Sequence, residues 1–182
     1  MATHKIDKLE AAFRQLRTAI SLWFNDGDVV SIHVLACSAY QIVHDINRGK
    51  GGRDLLYDSL IFKDEYRRES INLLKKPYNF FKHADKDSID VIEFNPLLTE
   101  LFFLYTSIGL ESLGRKADEV LGAFNIYYAL RNPHHLSEVG KARFIDTLPE
   151  EKRKWVLSVP KKQFYEAYTT LRKWHIDRQI TR

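Results

Sequence analysis

Apolar residues recur at helical spacing through most of the chain. Ile6, Leu9, Phe13, Leu16, Ile20 and Trp23 fall three or four apart, which predicts an amphipathic helix over 5–25 with one face toward a bundle core. Asn25-Asp26-Gly27-Asp28 then offers a stop, a glycine for left-handed geometry and an N-cap, and so short a turn predicts an antiparallel neighbour. In a second helix over 29–47, Ile32, Leu35, Ala36, Ala39, Ile42, Val43 and Ile46 share one face. His33, Cys37, Tyr40 and His44 form a stripe along its edge, between core and polar side. The glycines of Asn47–Arg53 fit neither a phosphate loop nor a dinucleotide fingerprint, and the segment reads as a flexible surface loop.

Asp54 is read as the cap of a short helix through Phe62, followed by a more charged helix to about Lys75 with Tyr66, Ser70, Leu73 and Leu74 inward. Pro77 is expected to break or kink the chain, or to open a new first turn ahead of a short helix over Tyr78–Ala84. The polar run after it reads as a turn. Residues 89–94 alternate apolar and polar, which suits an extended segment with no partner strand. Asn95-Pro96 starts a helix to Gly114, another covers Ala117–Leu130, and Asn132-Pro133 closes it. Residues 134–148 read as loops, with room for one turn of helix. Two last helices follow, one over 149–158 behind Pro149 and one starting at Ser158-Pro160 with Phe164, Tyr168, Leu171 and His175 on one face.

These elements predict an all-α fold: a single-domain helical bundle of about seven helices over 1–182, with 1–114 as the core bundle and 115–182 as additional C-terminal helices. Composition agrees, since 45% of the residues are hydrophobic and a large core can be buried. The lone Cys37 excludes an internal disulfide and a multi-cysteine zinc module. With no signal-peptide core, and with polar residues interrupting Leu97–Leu113, the expectation is a cytoplasmic chain that does not enter a membrane. A net charge of +4 is compatible with an anionic partner and with much else.

The densest chemistry lies in Lys75-Lys76-Pro77-Tyr78-Asn79-Phe80-Phe81-Lys82-His83-Ala84-Asp85, where cations, an amide, an imidazole and a carboxylate surround three rings. Within it, Tyr78-Asn79-Phe80-Phe81-Lys82-His83 resembles the signature of HEPN domains, a superfamily of small helical bundles. That signature is an Arg, a polar residue and a His four to six residues on, and here Asn79 and His83 match while Tyr78 stands where the Arg belongs. The resemblance implies a HEPN-like up-down core. Catalytic HEPN members are metal-independent ribonucleases, often homodimers, in which the His moves a proton at the ribose and the Arg steadies the phosphate. Tyr cannot supply a guanidinium fork, so the expectation is a binding module rather than a nuclease. Catalysis, if present, would fall to His83 and Asn79. RNA or another phosphate-bearing partner would meet Lys76, Tyr78, Asn79, Lys82, His83 and Asp85, and no cofactor is called for.

Two alternatives stand beside this reading. One is a metal- or small-ligand-binding bundle with a pocket rimmed by His33, Tyr40, His44 and His83. The other is a structural protein–protein interaction module. His33 and His44, eleven residues apart on one helix, are separated by about 16 Å and do not share a metal. Arg131-Asn132-Pro133-His134-His135 has the wrong Arg–His spacing for the signature and reads as a helix C-cap. The last helix mixes Lys161, Lys162, Arg172, Lys173 and Arg178 with Phe164, Tyr165, Tyr168 and Trp174, rings that serve a core or an interface as well as they serve nucleic acid.

Overall fold

The computed structural model describes residues 3–58, 63–83 and 89–180, with side chains as far as residue 172. Among them are eight α-helices and no strand, so the all-α expectation holds. The chain forms two compact units, one comprising residues up to Trp23 with Gly27–Lys116, the other Phe24–Asp26 with the chain from Ala117 on.

The first unit holds α1 (Lys8–Phe24, but for its last residue), α2 (Val29–Gly49), α3 (Asp64–Lys82) and α4 (Leu98–Ser112). Asp7 opens α1 by accepting the Glu10 N–H at 2.7 Å, and the stripe that is buried is Ala12, Phe13, Leu16, Ala19 and Ile20. At the α1–α2 turn the left-handed residue is Asp26, with φ 55°, and not the expected Gly27. Gly27 serves close approach instead: its N–H bonds the Leu22 carbonyl at 2.9 Å, and a Cβ would stand 3.1 Å from that oxygen. Asp28 caps α2 through the Ser31 N–H, as its position suggests.

Side-chain pairs fix the helix directions. His33 meets Thr99, Tyr40 meets Phe102 and Asn47 meets Ser112, so α2 and α4 run parallel. Glu10 meets Arg115 and Trp23 meets Phe103, making α1 antiparallel to α4, while Ser38–Tyr78 and His33–Phe81 make α3 antiparallel to α2. The result is an up-down-up-down bundle. The α2–α4 seam is close at Gly109, where a Cβ would lie 2.4 Å from Val43 Cγ1. By length and composition α2 could cross a membrane, a test that buried core helices also pass. Of its buried polar residues, His33 and Asn47 hydrogen-bond inside the protein, and His44 Nε2 lies near Asp58 without a hydrogen bond of good geometry.

Two elements differ from expectation. Of the short helix expected over 54–62, the described part is a turn whose Leu55, Leu56 and Tyr57 are buried, with the Tyr57 N–H on Tyr40 Oη at 3.0 Å. Of the outcomes expected at Pro77, neither the break nor the new first turn occurs, for α3 runs through it to Lys82.

In the second unit α5 (Glu119–Arg131) is central. Val120, Leu121, Phe124, Tyr127 and Tyr128 are buried on it, and α6 (Glu138–Phe144), α7 (Glu150–Ser158) and α8 (Lys161–Ile180) pack around it. Residues 134–148, expected as loops, thus contain α6, capped by Ser137. Phe24 stacks on Tyr165 at 4.5 Å and 5°. Tyr168 is half-buried and Leu171 exposed; His175 lies beyond the described side chains. Asp118 accepts the N–H groups of Val120 and Leu121, both at 3.0 Å. Asp118→Ala is expected to cost about 1 kcal/mol in a urea titration, with Asp118→Asn retaining most of the stability.

Candidate functional site

Two faces of α3 divide the residues of the Lys75–His83 run. Proline 77 forgoes the hydrogen bond to the turn before it, yet Leu74 and Pro77 are buried and Phe81 packs on His33 and Phe94 at ring distances of 6.0 and 5.3 Å. Apolar packing on both sides of the proline holds the helix together where local propensity alone would end it. Tyr78 sits on the edge of this inner face, its hydroxyl 3.0 Å from Ser38 Oγ. Lys82 Nζ donates to the same hydroxyl at 3.2 Å and lies 4.6 Å over the Tyr78 ring. Lys75 likewise covers the ring of Tyr57, at 4.6 Å.

The other face carries Glu69, Asn72, Lys76, Asn79 and His83, spaced three and four apart, with Leu73 and Phe80 between them. They form one wall of a groove of about 1050 Å³ whose opposite wall is Asp90-Val91-Ile92-Glu93. That wall is extended, as its alternation suggests: Ile92 and Phe94 turn inward and are half-buried, while Val91 and Glu93 are exposed. Leu73 and Val91 of this lining remain 62% and 94% exposed, apolar surface open to solvent. The groove's ionisable lining is Lys76 and the imidazole of His83 beside three carboxylates, Glu69, Asp90 and Glu93. His83 is the C-cap of α3, its N–H on the Asn79 carbonyl at 3.1 Å and its side chain exposed at the groove.

The structure therefore gathers Lys76, Asn79 and His83 at one groove and turns Tyr78 and Lys82 to each other on a different face. Asp85 lies outside the described residues. The histidine–tyrosine stripe of α2, expected at the core boundary, is deep in the core. His33 is 0% exposed, with Nδ1 2.9 Å from Thr99 Oγ1 and Nε2 3.4 Å from Cys37 Sγ. Burial depresses its pKa to about 4, so the ring is neutral at physiological pH. Burial likewise pushes up the Cys37 thiol and the Tyr40 and Tyr57 phenols, leaving none of them a ready nucleophile or base. The boundary became core because the Leu55–Tyr57 turn, α3 and Phe94 cover it from the side that α2's own periodicity leaves open.

His44 is 6% exposed and stacks with Tyr40 at 5.7 Å. Its Nε2 lies 2.9 Å from Asp58 Oδ2, close enough for an ion pair when the ring is charged, and its Nδ1 is 3.4 Å from Asp45 Oδ1. None of His33, Tyr40 or His44 lines the groove that His83 faces. Among the described residues no three His, Cys, Asp or Glu side chains converge as a metal site would require. In the second unit Asn132 caps α5 by donating to the Tyr128 carbonyl, and His135 Nδ1 meets Tyr128 Oη at 2.8 Å.

Sequence reasoning missed Asn72 and the acidic and apolar members of the groove: Glu69, Leu73, Asp90, Val91 and Glu93. The 69-72-76-79-83 spacing is visible in the chain, but only to a reading that carries the helix through Pro77. No protein-family model, curated protein or solved structure matches this chain.

Proposed function

We propose that the chain is a non-catalytic interaction module whose α3 groove receives an amphipathic segment of a partner protein, one presenting apolar side chains beside lysine or arginine. The observation that carries this reading is that exposed Leu73 and Val91 line the same groove as Glu69, Asp90 and Glu93. Apolar surface ringed by polar groups suits a protein partner, and an acidic rim selects a basic one. The HEPN-like resemblance supports the non-catalytic part, since Tyr78 in the place of the family's Arg is held by Ser38 and Lys82 and brings no guanidinium.

Contact with RNA or another phosphate is the competing reading. It is favoured by Lys76, Asn79 and His83 standing on one wall, and opposed by the three carboxylates a phosphate would meet there. Fluorescence anisotropy separates the two, using an amphipathic Leu/Lys helical peptide, its Leu/Glu counterpart and a single-stranded oligouridylate. The Leu/Lys peptide is expected to bind best, and Leu73→Ser with Val91→Ser to weaken it roughly tenfold, the worth of about 1.4 kcal/mol of buried apolar area. Equal binding of the two peptides, or preferred binding of oligouridylate that Lys76→Ala removes, would sink the protein-partner reading.

A further inference from the structure

Asn47 is polar and 1% exposed, at the last turns of α2, and it organises the loop that follows. Its Nδ2–H donates to the Arg53 carbonyl at 2.7 Å, and its Oδ1 accepts from Ser112 at the end of α4 at 3.3 Å. Backbone bonds close the same loop, Gly52 N–H to the Asn47 carbonyl at 2.8 Å and Gly51 N–H to the Arg48 carbonyl at 3.0 Å. Gly51 takes φ 64°, and a Cβ on Gly52 would stand 2.2 Å from Asn47 Oδ1, so both positions require glycine. The expected flexible loop is therefore a pinned one.

What it holds out is charge. Arg48, Lys50 and Arg53 are all exposed, and no hydrogen bond or ion pair engages their side chains among the described residues. Because α2 and α4 are parallel, both end here, and α1 begins here, adding exposed Lys116 and Lys8. The carboxylates of this end include Asp54 beside Arg53, Glu111, and Glu10, which already holds Arg14 and Arg115. Cations at two helix C-termini offset the helix dipoles, but that role does not call for a buried asparagine and two obligatory glycines to fix the loop carrying three of them. The loop has no ring on which a base could stack, so its fit is to backbone phosphates rather than to unpaired bases.

We propose that the Arg48–Arg53 loop is a sequence-independent contact for the phosphate backbone of duplex nucleic acid. This site is separate from the α3 groove and stands or falls without it. The test is anisotropy of the full chain with a labelled 20-base-pair DNA duplex from 50 to 200 mM NaCl. If each cation meets one phosphate, log K against log salt should have a slope of about −2.7, at about 0.9 per phosphate neutralised. Arg48→Gln/Lys50→Gln/Arg53→Gln should lose at least about tenfold in affinity at 50 mM salt and most of the slope, whereas Lys152→Gln, at an exposed position of α7, should change neither. Single Lys50→Gln, at an exposed position, should reduce the slope by about one and guards against a triple variant that fails to fold. No duplex binding by the parent chain, binding unchanged in the triple variant, or tighter binding to oligouridylate or to phosphatidylserine vesicles than to the duplex would each overturn the assignment.

Discussion

Gly109→Ala should destabilise the first unit, and Gly109→Val should do so more severely, by roughly 1–3 kcal/mol for the added methyl and more for the branched side chain. A Cβ at this position would lie 2.4 Å from Val43 Cγ1 and 3.0 Å from Leu55 Cδ1. Val43 is fully buried and β-branched on a helix, so it has almost no alternative rotamer. Relief requires α2 and α4 to part along the seam that also joins His33 to Thr99 and Tyr40 to Phe102. Alanine's better helix propensity returns about 1 kcal/mol, which makes the sign of the alanine result informative about how tight that seam is. Two controls sharpen it. Gly49→Ala, at a helical glycine with nothing within 4 Å, should be neutral or stabilising, and Val43→Ala should restore part of what Gly109→Ala loses. An alanine variant as stable as the parent in urea, with no coupling to Val43, would mean that the close approach is not a constraint.

Acidification should weaken the fold through His33 well before most carboxylates titrate. In the unfolded chain this ring takes its proton near pH 6.5, and in the folded protein only near 4. Between those values the unfolded state holds more protons, so stability rises with pH and is lost as pH falls through the window. The full difference is on the order of 3 kcal/mol. Its cause is burial alone: the ring sits among Phe81, Phe94 and Phe102, with Thr99 and Cys37 at its nitrogens and no carboxylate to support an imidazolium. Urea titrations of the parent and of His33→Gln at half-unit steps from pH 7 to 4.5 read the effect as a difference in slope. The level differs as well, because glutamine cannot reproduce both contacts of the ring. Parallel pH profiles for the two proteins would refute a buried neutral His33.

His44 makes an instructive neighbour. It shares α2 with His33 and is almost as buried, but it faces Asp58 and Asp45. Two imidazoles eleven residues apart thus meet opposite electrostatic surroundings. The difference comes from what the chain folds over each of them: the Leu55–Asp58 turn at His44, and α3 with Phe94 at His33.

The sequence by itself determined the all-α class and most of the helices. Period-3.6 stripes located α1 and α2, Asn95-Pro96 and Asn132-Pro133 marked where α4 begins and α5 ends, and Asp28 and Asp118 are helix N-caps because short acidic side chains ahead of an apolar run satisfy free N–H groups. The alternation of 89–94 likewise pointed to an extended segment, which the structure lays with Ile92 and Phe94 inward. Three matters were decided only in three dimensions. Whether Pro77 ends a helix depends on what buries Leu74, Pro77 and Phe81, and α2 does so. Whether the His33–His44 stripe is boundary or core depends on a second layer from α3 and the Leu55–Tyr57 turn, which α2's own pattern cannot reveal. And the meeting of Glu69, Lys76 and His83 with Asp90 and Glu93 needed both results at once, an unbroken α3 and a chain that returns along it. Local hydrogen bonding and periodicity act over a few residues and are written in the chain. Long-range burial overrides them where its several kcal/mol exceed a local penalty of about 3 kcal/mol for a helical proline.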